Sequence, residues 1–337
     1  MNLFPRIAAK VHVYRMRTTA SHLKIAAAWI SLLLGPATFA QPAKFRFIDS
    51  GAVPQVFAPG IISTPYTEWS VSFSPDGNTA FTSMGEIYWT IVCAHKEKGV
   101  WQKPQVVSFS GRFRDTDPFV TPDGNKIFFI SSRPFLPGAP PDVPQAVTHI
   151  WYADHLKGGE WGTPRHLDSS INLADISNYA PSVSAKGTIY YCSRREGLNG
   201  MQSFFSAWLG DHYAAPRQVV IKGANEIQDP FIAPDESYLV YMDGNDVCIS
   251  FSENGSWSAE QKLGPEVNNG NSISSPYISA DGKTLYYTSE RIKGFYKRDL
   301  TGPALNYEEL VKENSGLFNN KGNILMIPIH LPATGKI

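Results

Sequence analysis

DTDPFVTPDGNKIFFISSR, residues 115–133, sets two carboxylates two apart before a Pro-Asp-Gly turn, a β-rich run and an arginine. Three readings are open: a metal-binding Asp-x-Asp, a charged catalytic pair, or one unit of a repeated architecture. The rest of the chain favours the third. Relatives of the stretch are EWSVSFSPDGNTAFTS from Glu68, NYAPSVSAKGTIYYCSR from Asn178, IQDPFIAPDESYLVYMD from Ile227 and SISSPYISADGKTLYYTSER from Ser272. Each is a short alternating run, a turn signal and a second β-rich run, the pattern of a β-hairpin. With Pro75, Pro122, Ala185, Pro234 and Ala280 taken as equivalent, the copies stand 47, 63, 49 and 46 residues apart.

A third short run follows each hairpin: EIYWT (86–90), HIWYA (149–153), SFFSA (203–207), DVCIS (246–250) and NILMI (323–327). A fourth run follows four of them, at KPQVV, TPRHL, APRQV and AEQKL from positions 103, 163, 215 and 259. Four strands per repeat is the size of a propeller blade. The fifth repeat lacks its fourth run, but VPQVF (53–57) stands before the first hairpin in matching register. An N-terminal strand that completes the last blade removes an open sheet edge. The expectation is an all-β, five-bladed propeller forming one domain over residues 41–337. Six blades would need a further hairpin, and none is visible.

SFSPDG (72–77), FVTPDG (119–124), FIAPDESYLVY (231–241) and YISADG (277–282), with the Ser-x-Arg and Ser-Arg strand endings, resemble the TolB-like, PD-repeat propellers of bacterial exported proteins. The resemblance extends over nearly all of residues 41–330. It implies that the first strand of each blade lines a central channel, and that the chain serves as a binding scaffold rather than through a fixed chemistry. Three copies depart from the pattern: Ala-Lys-Gly at the third turn, Pro-Asp-Glu at the fourth, and no arginine after Ser83 and Met84 in the first.

Composition agrees with a folded, turn-rich chain: 337 residues, 42% hydrophobic, with Gly 27 and Pro 25. Formal charge is zero, yet residues 1–40 carry five basic side chains (Arg6, Lys10, Arg15, Arg17, Lys24) and no acid. The remainder holds 25 basic against 30 acidic residues, which does not suit a nucleic-acid binder. A basic start, the apolar run IAAAWISLLLG and small residues at Thr38 and Ala40 read as a secretory signal ending at Ala40, with Met16 a possible true start. Export to the periplasm or outside follows, with no stable membrane insertion after cleavage and a monomer expected. Cys93, Cys192 and Cys248 lie in strand-like runs and read as buried free thiols.

If the first strands line the channel, their starts and the ends of the second strands share one mouth. That face gathers Glu68, Asp115, Asp117, Asn178, Asp229 and Ser275 with Arg133, Arg194, Arg291 and Asp243 as ligand-binding candidates. Carboxylates and guanidinium groups there can orient a polar ligand, or can bond neighbouring blades to one another. Two insertions overhang the same face. One is Pro-rich (134–147); the other (292–321) contains a helical turn, NYEELVKEN, and the charged run Tyr296, Lys297 and Arg298.

No metal or cofactor is expected. The Asp-x-Asp at 115 and the turn at Asp243, Asn245 and Asp246 do not match a calcium loop. His149, His166 and His212 have no zinc spacing and read as structural. No Gly-x-Ser-x-Gly elbow is present. The expected function is a scaffold that binds a protein, peptide or glycan at one mouth. The alternative is a carbohydrate-active hydrolase or lyase using acids such as Asp117 with Asp229 or Glu68. A third reading is a part in envelope assembly.

Overall fold

The computed structural model describes residues 45–135, 138–198, 200–290 and 301–332. The signal-like segment 1–40, Arg291 and the run 296–298 lie outside the described residues. Five antiparallel sheets follow one another along the chain, each with four principal strands. Blade 1 is Glu68–Phe73, Thr79–Met84, Thr90–Glu97 and Gln105–Val106; blade 2 is Asp115–Val120, Lys126–Ser131, His149–Asp154 and Arg165–His166. Blade 3 is Asn178–Val183, Ile189–Ser193, Gln202–Ser206 and Arg217–Gln218; blade 4 is Ile227–Ile232, Tyr238–Asp243, Asp246–Glu253 and Gln261–Lys262. Blade 5 is Ile273–Ile278, Thr284–Ser289 and Asn323–Pro328, completed by Gln55–Val56 from the other end of the chain. One expectation needs correction. EIYWT is not the third strand of blade 1: residues 86–89 turn at the surface, where Glu86 pairs with Lys321, and the strand begins at Thr90.

The closure is built from more than two paired residues. Gln55 and Val56 pair with Met326 and Leu325, and Phe57 donates its amide to Ile324 O at 2.8 Å. Ser63 Oγ both donates to Ile324 O and accepts from Ile324 N, at 3.1 Å each. The ring is therefore stapled by main-chain bonds and by the buried side chains of Phe57 and Ile62.

Every first strand carries a β-bulge at the same place, with the extra residue at Ser70, Asp117, Ala180, Asp229 or Ser275. These five have φ between 46° and 55°, a left-handed conformation that side chains other than glycine rarely adopt. Opposite the bulge stand Phe129, Tyr191, Tyr241 and Tyr287 in blades 2 to 5, all at most 1% exposed, and they fill the space that the kink opens.

The hairpin turns explain the irregular copies. In SFSPDGNT, Ser74 Oγ donates to Asp76 Oδ1 (2.6 Å) and accepts from Thr79 N (2.9 Å), while Gly77 takes φ 67°. Blade 3 has Lys186 where the aspartate belongs, and blade 4 has Glu236 where the glycine belongs, at φ 63°. Glu236 reaches across to accept from Ser184 Oγ (2.8 Å) and Lys186 Nζ (2.9 Å). The two departures are one compensated pair.

Both insertions follow second strands that end where the first strands begin, Ser131 opposite Asp115 and Ser289 opposite Ile273. The second carries an α-helix, Tyr307–Asn314, capped reciprocally by Asn306 and Glu309, with no buried residue. Among the described residues no helix is long and apolar enough to cross a membrane.

Candidate functional site: a blind acidic funnel

The five bulge residues form a ring around the channel, and each presents a main-chain amide that the sheet ladder cannot use. Every one of these amides finds an acceptor on the preceding blade. Ser83 Oγ accepts from Asp117 N (2.9 Å), Cys192 Sγ from Asp229 N (3.1 Å) and Thr288 Oγ1 from Ser70 N (3.0 Å). Ser83, Cys192 and Thr288 hold the same register position, opposite Trp69, Tyr179 and Ser274. In blades 2 and 4 that position is Ile130, which has no acceptor, and Met242, whose thioether is only a weak one. There the ring residue is an aspartate: Asp117 Oδ2 accepts from Ala180 N (3.0 Å), and Asp229 Oδ2 from Ser275 N (2.9 Å). A buried amide left without a partner costs about 1–3 kcal/mol, so the five bonds act as a ring of latches.

Beneath the ring the channel is closed. Phe119, Phe231 and Tyr277, each two residues further along its strand, meet with ring centroids 4.8 to 6.3 Å apart. What remains is a narrow blind funnel with a cavity volume of about 40 Å³. The ring residues, four prolines and Val71 form its walls, and the aromatic triad its floor. Four ring residues precede a proline, which removes the next amide where it would have no use. Burial pushes Asp117 up to about 7, and the neighbouring Asp229 carboxylate adds to the rise. Burial also raises Asp229.

The other candidates lie in the seams between blades rather than in the funnel. Asp115, fully buried, pairs with both Nη1 and Nη2 of Arg133 and accepts from Ser110 Oγ (2.8 Å). Arg133 also donates to Ser131 Oγ and Phe109 O, and lies over the rings of Phe113 and Phe129. Glu68, fully buried, accepts from Thr64 N (3.0 Å), Thr64 Oγ1 and Asn323 Nδ2 (3.2 Å), which ties the first strand to the closure; burial raises it to about 7. Asn178 donates to Ile171 O and Asn172 Oδ1, and Asp243 accepts from the amides of Asn225 and Glu226. Arg194 is exposed at the mouth face. The structure thus brings Asp117, Asp229 and Ser275 together and keeps Glu68, Asp115, Asn178, Arg133 and Asp243 apart from them.

Sequence reasoning missed three groups. The funnel floor was legible only as the position two after each ring residue. The alternation of Asp117 with Ile130 and Asp229 with Met242 carried the latch signal. The third group is an exposed apolar patch on the mouth face of blade 1, with Tyr66, Ile87 and Tyr88 at 57%, 97% and 43% exposure beside the half-buried Trp69 and Trp89. His149 and His166 meet at 3.1 Å under Phe135, and burial holds His166 down near 4. All three cysteines are free; Cys192 and Cys248 are buried as expected, whereas Cys93 is only half-buried.

The class of protein that this architecture defines is a five-bladed β-propeller with a blind, two-carboxylate funnel. No family model matches the chain, and no curated protein matches it in sequence. A thermostable family-43 glycoside hydrolase shares the fold at TM-score 0.50 and 11% identity, over 83% of this chain and 96% of that one. TolB from Acinetobacter baumannii is similar at TM-score 0.45 and 14% identity over 77% of this chain, which spans 54% of that protein's length. A gluconolactonase from Xanthomonas campestris is similar at TM-score 0.42 and 12% identity, over 86% of this chain and 99% of that one. At such identities the likeness is one of fold alone.

Proposed function

We propose that this chain is a non-catalytic binding propeller that holds a protein, peptide or glycan ligand at the mouth face. The observation that carries the reading is the exchange of roles around the ring. Asp117 and Asp229 make the bonds that Ser83, Cys192 and Thr288 make in the other blades, so the acids have a structural reason to be there. Of the other acids of the face, Glu68 and Asp115 are fully buried in seams, and Asp243 is bonded to the amides of Asn225 and Glu226. The exposed Tyr66, Ile87 and Tyr88 of blade 1 supply contact area of the kind that anchors ligands. The order of basic, apolar and small residues over 1–40 supports export. Peptide and glycan arrays probed with the chain from Gln41 test the reading. Ligands should be retained, and Tyr88→Ala should weaken their retention by about tenfold, the scale of one aromatic anchor. An array without retained ligands refutes it.

A second reading, hydrolysis of a carbohydrate, draws on one observation. Asp117 and Asp229 open on the same cavity, where burial raises both and pushes Asp117 up to about 7, as a proton-donating acid requires. Turnover of a retained glycan that disappears in Asp117→Asn and Asp229→Asn alike is the result that this reading requires.

A further inference from the structure

The latches leave part of the funnel's polar capacity unspent. Asp117 is nine-tenths buried and commits only Oδ2 to Ala180; Oδ1 has no hydrogen-bond partner among the described residues. Asp229 likewise uses Oδ2 alone, for the amide and hydroxyl of Ser275. Ser70 Oγ, on the same wall, is buried without a partner. The floor below these acceptors is Phe119, Phe231 and Tyr277, and no lysine or arginine is among the residues lining the cavity.

The chemistry that fits is specific. A hard divalent cation takes about six to eight oxygen ligands, and an aromatic floor supplies none. An ammonium group is compact and carries three donors, which matches Asp117 Oδ1, Asp229 Oδ1 and Ser70 Oγ in number. Its charge is also attracted to ring faces, and more so where water is excluded. We propose that the funnel is a recognition pocket for a primary ammonium group on an unbranched chain, as on a lysine side chain or an amino-substituted ligand. The inference rests on the binding reading and names the ligand chemistry at its centre.

The test is calorimetric titration of the chain from Gln41 with Nα-acetyl-lysine methylamide and with its neutral counterpart, Nα-acetyl-norleucine methylamide. A charge-assisted bond contributes about 1.5–3 kcal/mol, so the lysine derivative should bind at least about tenfold more tightly. That margin should be lost when a carboxylate is removed but its latch is replaced, as in D117A/I130T and D229A/M242C. Asp117→Asn is a further variant that keeps the acceptor for Ala180 and removes the charge; it should lose the same margin. Affinity should also rise with pH through 7 as Asp117 ionises. Equal binding of the two probes overturns the proposal, as does a margin that survives in both latch-replaced variants. Calcium that binds more tightly than the amine and displaces it also overturns it. Loss of amine selectivity while array ligands are still retained sinks the ammonium pocket alone; cleavage of a retained ligand sinks the binding reading itself.

Discussion

Removing Asp117 while offering a substitute acceptor separates its architectural role from any other. At pH 5.5, below its value of about 7, Asp117 is protonated, so Asp117→Ala deletes a hydrogen bond without deleting a charge. The Ala180 amide, bonded at 3.0 Å in the intact protein, then has no acceptor, at a cost of about 1–3 kcal/mol. In a domain of this size about 1 kcal/mol corresponds to roughly 2 °C, so the melting temperature should fall by about 2–6 °C. Ile130→Thr copies blade 5, where Thr288 Oγ1 accepts from the Ser70 amide across the same register. That change alone costs stability, because Ile130 is only 1% exposed in the core. The double-mutant cycle removes this cost from the comparison. In the Ile130→Thr background, Asp117→Ala should cost less than in the parent by about 1–2 kcal/mol, because the introduced hydroxyl takes over the amide. Urea denaturation of the four proteins measures the coupling. Additive losses would refute the claim that ring aspartates and second-strand hydroxyls are interchangeable latches.

Four other outcomes follow from the same geometry. The folded pKa of Asp117 lies above its ordinary 3.8, so the stability it contributes is full below about pH 3.8 and is lost as pH rises through 7. Asp117→Asn should therefore gain on the parent between pH 5 and pH 8, by at most about 3 kcal/mol, because only about two of the three pKa units lie above pH 5; parallel urea curves at the two pH values would contradict this. Lys186→Asp sets a second carboxylate beside Glu236 and should destabilise, whereas K186D/E236G turns blade 3 into the Ser-Ala-Asp-Gly of blade 5 and should restore the melting temperature. Arg133→Met strands the fully buried Asp115 and should cost about 3–5 kcal/mol in chemical denaturation, with Arg133→Lys failing to rescue because it cannot hold both oxygens. A chain that starts at Thr64 loses the closing strand with Phe57 and Ile62, and should show no cooperative melting transition.

The blades were legible because hairpin chemistry is local. Pro-Asp-Gly needs a carboxylate and a positive-φ residue within four positions, and a period near 47 residues repeats it. The closing strand was legible for the same reason, as a fourth run displaced to the other end of the chain. The start of blade 1's third strand was misplaced because Ile87, Tyr88 and Trp89 have strand composition and yet spend it on an exposed surface turn. The site was less legible, since what Asp117 does depends on Ala180, 63 residues away, and on the absence of an acceptor at Ile130. Glu68 and Asp115 read as mouth residues because strand starts were placed correctly, but their burial in the seams is set by Thr64, Asn323 and Arg133. Sequence spacing shows which residues share a strand position. It does not show which of two faces each side chain takes.

The most direct measurement is mass spectrometry of a ligand recovered after prolonged incubation with the chain from Gln41. Binding without chemistry predicts that the ligand comes back intact, and that D117A/I130T, folded but lacking one funnel acid, changes its affinity alone. Recovery of a cleaved ligand, with cleavage abolished in D117A/I130T, would contradict the account.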